Sequence, residues 1–131
     1  MSKCSNRLAA IGVLSAVAFG TIAAAPAYAK TVKVQTHGTC SKGAHWKLSL
    51  GPDGRIIETE FEVDSNHAGQ KWNVTIGDNG TRVFTGLRTT TAPSGSFSVA
   101  RRIPNRAGVD HVVATAKNAR SGETCIARAS S

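Results

Sequence analysis

The chain has 131 residues, with 16 Lys and Arg against 8 Asp and Glu, three cysteines and only two Trp, one Tyr and four Phe. That length is usual for one domain once a leader is removed, and nothing in it argues for a second. The few aromatic residues argue against the base-stacking surfaces that nucleic-acid readers need.

The first 29 residues read as an export signal. Lys3 and Arg7 give a positive start, Leu8 to Ala25 carries no charge, and Ala27-Tyr28-Ala29 offers small residues at both positions read by signal peptidase. A membrane-spanning helix needs about 20 predominantly apolar residues, and this run is slightly short and ends at Pro26. Cys4 precedes the apolar run, so it is not placed for lipidation at the cleavage site. The expectation is a signal peptide over 1–29, a mature secreted domain over 30–131, and no membrane anchor after cleavage.

Cleavage removes Cys4 and leaves Cys40 and Cys125 in an oxidising compartment, where a disulfide is the simplest fate of two lone cysteines. The closed loop holds 86 residues, for which the chain-entropy argument gives about 4 to 5 kcal/mol. Such a link requires the first and last strands to lie close together.

Along the mature chain apolar and polar residues alternate, as in sheet with one dry and one wet face. Val32 to Thr36 offers a first strand. Trp46, Leu48 and Leu50 alternate with His45, Lys47 and Ser49. Ile57, Thr59, Phe61 and Val63 alternate with Glu58, Glu60 and Glu62. Trp72, Val74 and Ile76 alternate with Lys71, Asn73 and Thr75. Further strands are predicted around Phe97 and Val99, over Val109 to Lys117 and over Thr124 to Ala129. Gly51-Pro52-Asp53-Gly54 suits a type I turn, and pairing across it places Trp46, Leu48 and Leu50 on one face with Ile57, Thr59 and Phe61. Asp78-Asn79-Gly80 permits two registers. A two-residue Asn-Gly turn exposes Phe84 between Arg82 and Arg88; a three-residue loop buries Phe84 and exposes Val83 and Leu87. Burial of the larger ring is preferred, and the other register would make Phe84 a surface aromatic in a basic row. The pattern as a whole predicts an all-β fold, an immunoglobulin-like antiparallel β-sandwich of seven or eight strands, with a small β-barrel as the alternative.

The segments GTCSKGAHWKL, FEVDSN followed by GQKW, DNGTRVF, APSGSFSV, NRAGVD and SGETC together resemble a family of small secreted actinobacterial proteins of unassigned activity. The resemblance runs from about Gly38 to Cys125. It implies a signal peptide, a sandwich-like domain and the Cys40–Cys125 pair, and it supplies no catalytic or binding residues.

Each chemical motif has a plainer explanation. His37, Cys40 and His45 would suit a soft metal, but the disulfide consumes the thiolate. Asp64-Ser65-Asn66 resembles the opening of a calcium loop, yet Thr75 stands where the bidentate Glu belongs, and an Asx-rich turn accounts for these residues. Glu58, Glu60 and Glu62 with His45 or His111 would supply an acid and a base, but Glu at every second position is what a wet strand face looks like. Asp110 and His111, adjacent in a strand, point to opposite faces. No catalytic residue, metal or cofactor is expected.

Charge layout is the remaining clue. Residues 30–80 hold six charges of each sign, whereas 81–131 hold eight basic residues against Asp110 and Glu123 alone. The expectation is a non-catalytic extracellular binding module whose basic half, chiefly Arg82, Arg88, Arg101, Arg102 and Arg106, meets an anionic partner such as a cell-wall polymer. Nucleic acid is not expected as a partner. The alternative is a secreted inhibitor of an extracellular enzyme, presenting Thr89–Gly95 or Ile103–Gly108 as a rigid loop to a partner protein.

Overall fold

The computed structural model describes residues 31–131, together with Ala16, Ala18 and Gly20. The predicted leader over 1–29 otherwise lies outside the described residues, as does Lys30. Eight strands follow in order: β1 (Val34–Thr39), β2 (His45–Asp53), β3 (Ile56–Asp64), β4 (Lys71–Asp78), β5 (Thr81–Thr89), β6 (Ser96–Pro104), β7 (His111–Asn118) and β8 (Thr124–Ser130). The described residues contain no helix.

The strands form two antiparallel four-stranded sheets, ordered β1-β2-β3-β6 (sheet I) and β5-β4-β7-β8 (sheet II). Each sheet keeps two edges, so the barrel alternative is set aside. The two-layer antiparallel plan is the predicted one. Its connections are its own: strands two and three pair within one sheet here, whereas an immunoglobulin constant domain puts them in opposite sheets.

Period-two alternation places the core between the layers. Leu48, Leu50, Ile57, Phe61 and Val63 from sheet I meet Trp72, Val74 and Ile76 from sheet II, all fully buried. Each such side chain contributes about 1.5 to 3 kcal/mol by leaving water. Trp72 and Phe97 pack tilted, with ring centroids 6.2 Å apart.

Both hairpins keep the predicted faces but close differently. Leu48 opposes Phe61 and Leu50 opposes Thr59, while the turn lies at Gly54-Arg55 rather than within Gly51–Gly54. Gly54 has φ of 60°, as a two-residue turn with glycine first requires. β1 pairs no further along β2 than Leu50, which leaves Pro52 at an edge where a missing N–H is tolerated. In the second hairpin Asn79 and Gly80 form the two-residue turn, with φ of 48° and 81°. That turn alone would expose Phe84. A bulge between Ile76 and Gly77 admits Val83 as an extra residue, so Ile76 opposes Phe84 and the ring turns inward. Phe84 is only 6% exposed, so it is not a surface aromatic. The turn comes from one predicted register and the burial from the other.

The two open sides of the sandwich are closed unequally. On the β1/β8 side the Cys40–Cys125 disulfide joins the sheets with Cα atoms 4.4 Å apart. Thr36 Oγ1 donates to the Arg128 carbonyl at 2.9 Å, and the Glu123 carboxylate accepts the Lys42 and Ala44 N–H groups at 3.0 and 2.9 Å. On the β5/β6 side the backbone link is the Thr91–Ser96 bridge.

Candidate functional site

The five arginines singled out from the sequence do not converge. Arg102 lies on the outer face of sheet I, where it pairs with Glu58 at 3.0 Å, both side chains being more than half exposed. Such a pair contributes little to stability, yet it leaves Arg102 partly neutralised. Arg82 lies on the outer face of sheet II, opposite Gly77. Arg106 sits in the β6–β7 loop, its N–H donated to Asp110 Oδ2 at 3.1 Å. Arg88 and Arg101 lie at the facing edges of β5 and β6, and each guanidinium carbon stands 4.8 Å from the centroid of the Phe84 ring.

The charges divide by face rather than by sequence half. Outward positions follow from strand parity. On sheet I these are occupied by Glu58, Glu60 and Glu62 of β3, with Asp53 and Asp64 at the strand ends, against Lys33, Lys47 and Arg102. On sheet II they include Lys71, Arg82, Lys117 and Arg128 and no carboxylate. The other carboxylate side chains of the described residues, Asp78, Asp110 and Glu123, are buried. Every carboxylate side chain that meets solvent among the described residues therefore belongs to β2 or β3, and the charged side chains on the outer face of sheet II are all cationic.

That face has a chemical texture. Thr85, Thr75 and Thr115 stand in register across β5, β4 and β7, and Ile126 of β8 continues the row. Leu87 and Ile126 are 49% and 46% exposed on it. Toward its β4–β5 hairpin end a hollow of about 270 Å³ is lined by Thr75, Gly77, Gly80, Arg82, Val113 and Thr115. Gly77 has no side chain to fill the floor. Hydroxyls that donate and accept hydrogen bonds, beside the Arg82 guanidinium, suit oxygen-rich anionic groups. Toward one end of the sheet Lys71 and Arg120 border a second hollow of about 520 Å³.

Of the predicted contact residues, Arg82 is on this face. Lys71, Lys117 and Arg128 were not singled out, although the alternation of Lys71 with Trp72 already marked it as outward. What the sequence withheld was the assignment of β4 to the same sheet as β7 and β8.

The remaining motifs are placed as follows. Cys40 is in the disulfide, so it offers no thiolate beside His37 and His45. Asp64 Oδ1 accepts the Asn66 N–H at 2.9 Å, an Asx turn. His45 stands across from Asp64, and the glutamate stripe faces away from His111, which lies on sheet II and contacts Ser130 Oγ at 2.8 Å. Thr91 to Ser94 are exposed, while Thr90 and Gly95 on either side are buried.

No protein-family model, curated protein or solved structure matches this chain, so function is inferred from its own residues.

Proposed function

We propose that the chain is a secreted, non-catalytic binding module that holds an anionic extracellular polymer, of the kind found in cell walls, on the outer face of sheet II. One observation carries this reading: among the described residues, solvent-exposed carboxylate side chains are confined to β2 and β3, leaving Lys71, Arg82, Lys117 and Arg128 on a face without a negative side chain. An unopposed cationic sheet attracts a polyanion over roughly a Debye length, about 8 Å at physiological salt, and orients the protein on it. Export is supported by the predicted leader and by the disulfide, which persists in oxidising surroundings. The resemblance to small secreted actinobacterial proteins points the same way.

Retention on purified anionic cell wall tests it. Neutralising the face with Lys71→Gln, Arg82→Gln, Lys117→Gln and Arg128→Gln together is expected to lower retention at least about tenfold, and added salt should act likewise. Glu58→Gln with Glu60→Gln on sheet I should not lower it. Equal retention by the sheet II variant would overturn the proposal.

A second reading, inhibition of an extracellular enzyme, is favoured by one feature. Thr91–Ser94 projects from a segment pinned by Thr90 N–H to the Gln70 carbonyl and Gly95 N–H to the Thr91 carbonyl, at 2.9 and 2.8 Å. Stoichiometric inhibition in a protease panel would support it, and cleavage of the loop as ordinary substrate would end it.

A further inference from the structure

The β5/β6 side of the sandwich carries a separate arrangement. Phe84, Gly86 and Arg88 point inward along β5, and Arg101 points inward from the edge strand β6. A Cβ on Gly86 would stand 2.9 Å from Phe84 Cζ and 3.5 Å from Arg88 Nη1. The bare glycine thus lets the ring lie along β5 and lets the Arg88 side chain reach it. Arg101 reaches the same ring from the other sheet, at the same 4.8 Å. The two guanidinium carbons are therefore separated by no more than twice that distance.

Neither guanidinium has a carboxylate partner among the described residues; the Arg88 Nη1 group donates to the Leu87 carbonyl at 3.0 Å. Two like charges converging without a counter-charge repel, and the negative faces of one ring offset only part of that. The cross-strand neighbours add an independent observation. Trp72 opposes Arg88 and Thr59 opposes Arg101. Both are fully buried between the sheets, and Trp72 Nε1 and Thr59 Oγ1 have no hydrogen-bond partner there. Buried donors are ordinarily satisfied. Here two of them stand directly across the strand ladders from Arg88 and Arg101, one strand in from the less securely closed side of the fold.

We propose that the β5/β6 edge is an oxyanion site, at which Arg88 and Arg101 together take one dianionic phosphate group, either free or as the monoester end of a larger molecule. The fork of each guanidinium matches two oxygens of such a group, and two positive charges match its two negative ones. Phe84 gives both guanidinium groups a ring to rest against, and the bare Gly86 leaves room for that ring. The site is distinct from the outer face of sheet II and does not depend on polymer binding there.

The test is titration of the folded, disulfide-bonded domain at constant ionic strength, following the Trp72 indole and the Arg Nε–H resonances by NMR. Inorganic phosphate and glycerol phosphate are the two probes, with chloride as the reference. Saturable shifts of these resonances with phosphate, weakened tenfold or more in Arg88→Gln and in Arg101→Gln, are expected. Saturation by both probes supports a site open to monoesters, and saturation by inorganic phosphate alone supports one limited to the free ion. Shifts that never saturate, or that chloride reproduces, overturn the proposal, as does unchanged saturation in the double variant. Should either Gln variant lose its native spectrum, Arg88→Lys with Arg101→Lys keeps the charge but removes the forks. Weaker yet saturable binding is then expected, and affinity equal to that of the native protein counts against the paired-fork geometry.

Discussion

Removing the Cys40–Cys125 link gives a loss that can be worked from the fold. The cysteines are separated by 85 positions, and for a closed loop of that size the chain-entropy relation gives an unfolded-state term of about 4.6 kcal/mol at 25 °C. Unfolding entropy near the midpoint is about 2.1 cal/mol/K per residue, so for a domain of roughly 100 residues this loss lowers Tm by roughly 20 °C. The folded state changes less, because the bonds from Thr36 to Arg128 and from Lys42 and Ala44 to Glu123 hold the same side. Two preparations separate the entropy from packing: the native chain with its thiols reduced, and Cys40→Ala with Cys125→Ala. Both cysteines are buried, so the alanine variant loses sulfur packing as well and should be the less stable of the two. Thermal and urea unfolding measure the losses. A reduced chain that keeps its near-UV spectrum and loses under about 1 kcal/mol would refute the reasoning, because 4 to 5 is what the loop demands.

Other outcomes follow from single contacts. Gly95→Ala should cost at least about 2 kcal/mol, since its φ is 76° and a Cβ there would overlap the backbone of Asn66 and His67; urea unfolding reads the loss. Gly43→Ala is the comparison, with φ of 99° but open space around the new atom, and a smaller loss of about 1 to 2 kcal/mol is expected there. Glu123→Ala strands the Lys42 and Ala44 N–H groups that its Oε2 accepts, for about 2 to 4 kcal/mol. Hydrogen exchange at those two amides should quicken in step, and unchanged exchange would show that they have other partners.

How much of this was legible beforehand depends on what each feature required. Strand faces needed only parity, which is why Leu48 and Phe61 were placed together even though the turn closes at Gly54-Arg55. Any turn preserving odd-to-even pairing gives the same faces. Phe84 needed more, because the Asn79-Gly80 turn and the burial of the ring are compatible only through the extra residue at Val83, and nothing local announces a bulge. The disulfide needed only a count of cysteines and a compartment. The cationic face was the least legible, since it depends on which strands share a sheet. The chain crosses between layers from β3 to β4, from β5 to β6 and from β6 to β7, and alternation within a strand carries no information about those crossings. The basic C-terminal half supplies three of the four cations on that face, Arg82, Lys117 and Arg128, while Arg88, Arg101, Arg102 and Arg106 lie elsewhere.

The separation of charge by face has a structural origin. A carboxylate that accepts backbone N–H groups is withdrawn from the surface. Glu123 does this for the Lys42 and Ala44 amides, and Asp110 for the Arg106 amide and the Asn79 side chain. Both belong to segments flanking β7, so tying down those loops takes two carboxylates off the exposed surface beside sheet II. On sheet I the β3 glutamates are free to face water, and Lys47 and Arg102 on the flanking strands oppose Glu62 and Glu58 directly. Lys71, Arg82, Lys117 and Arg128 have no such opposite number. One sheet thus carries both signs on its outer face, five carboxylates against three cations, while the other exposes cations alone. The contacts that secure the loops leave those cations as the charged side chains that an anionic partner would meet.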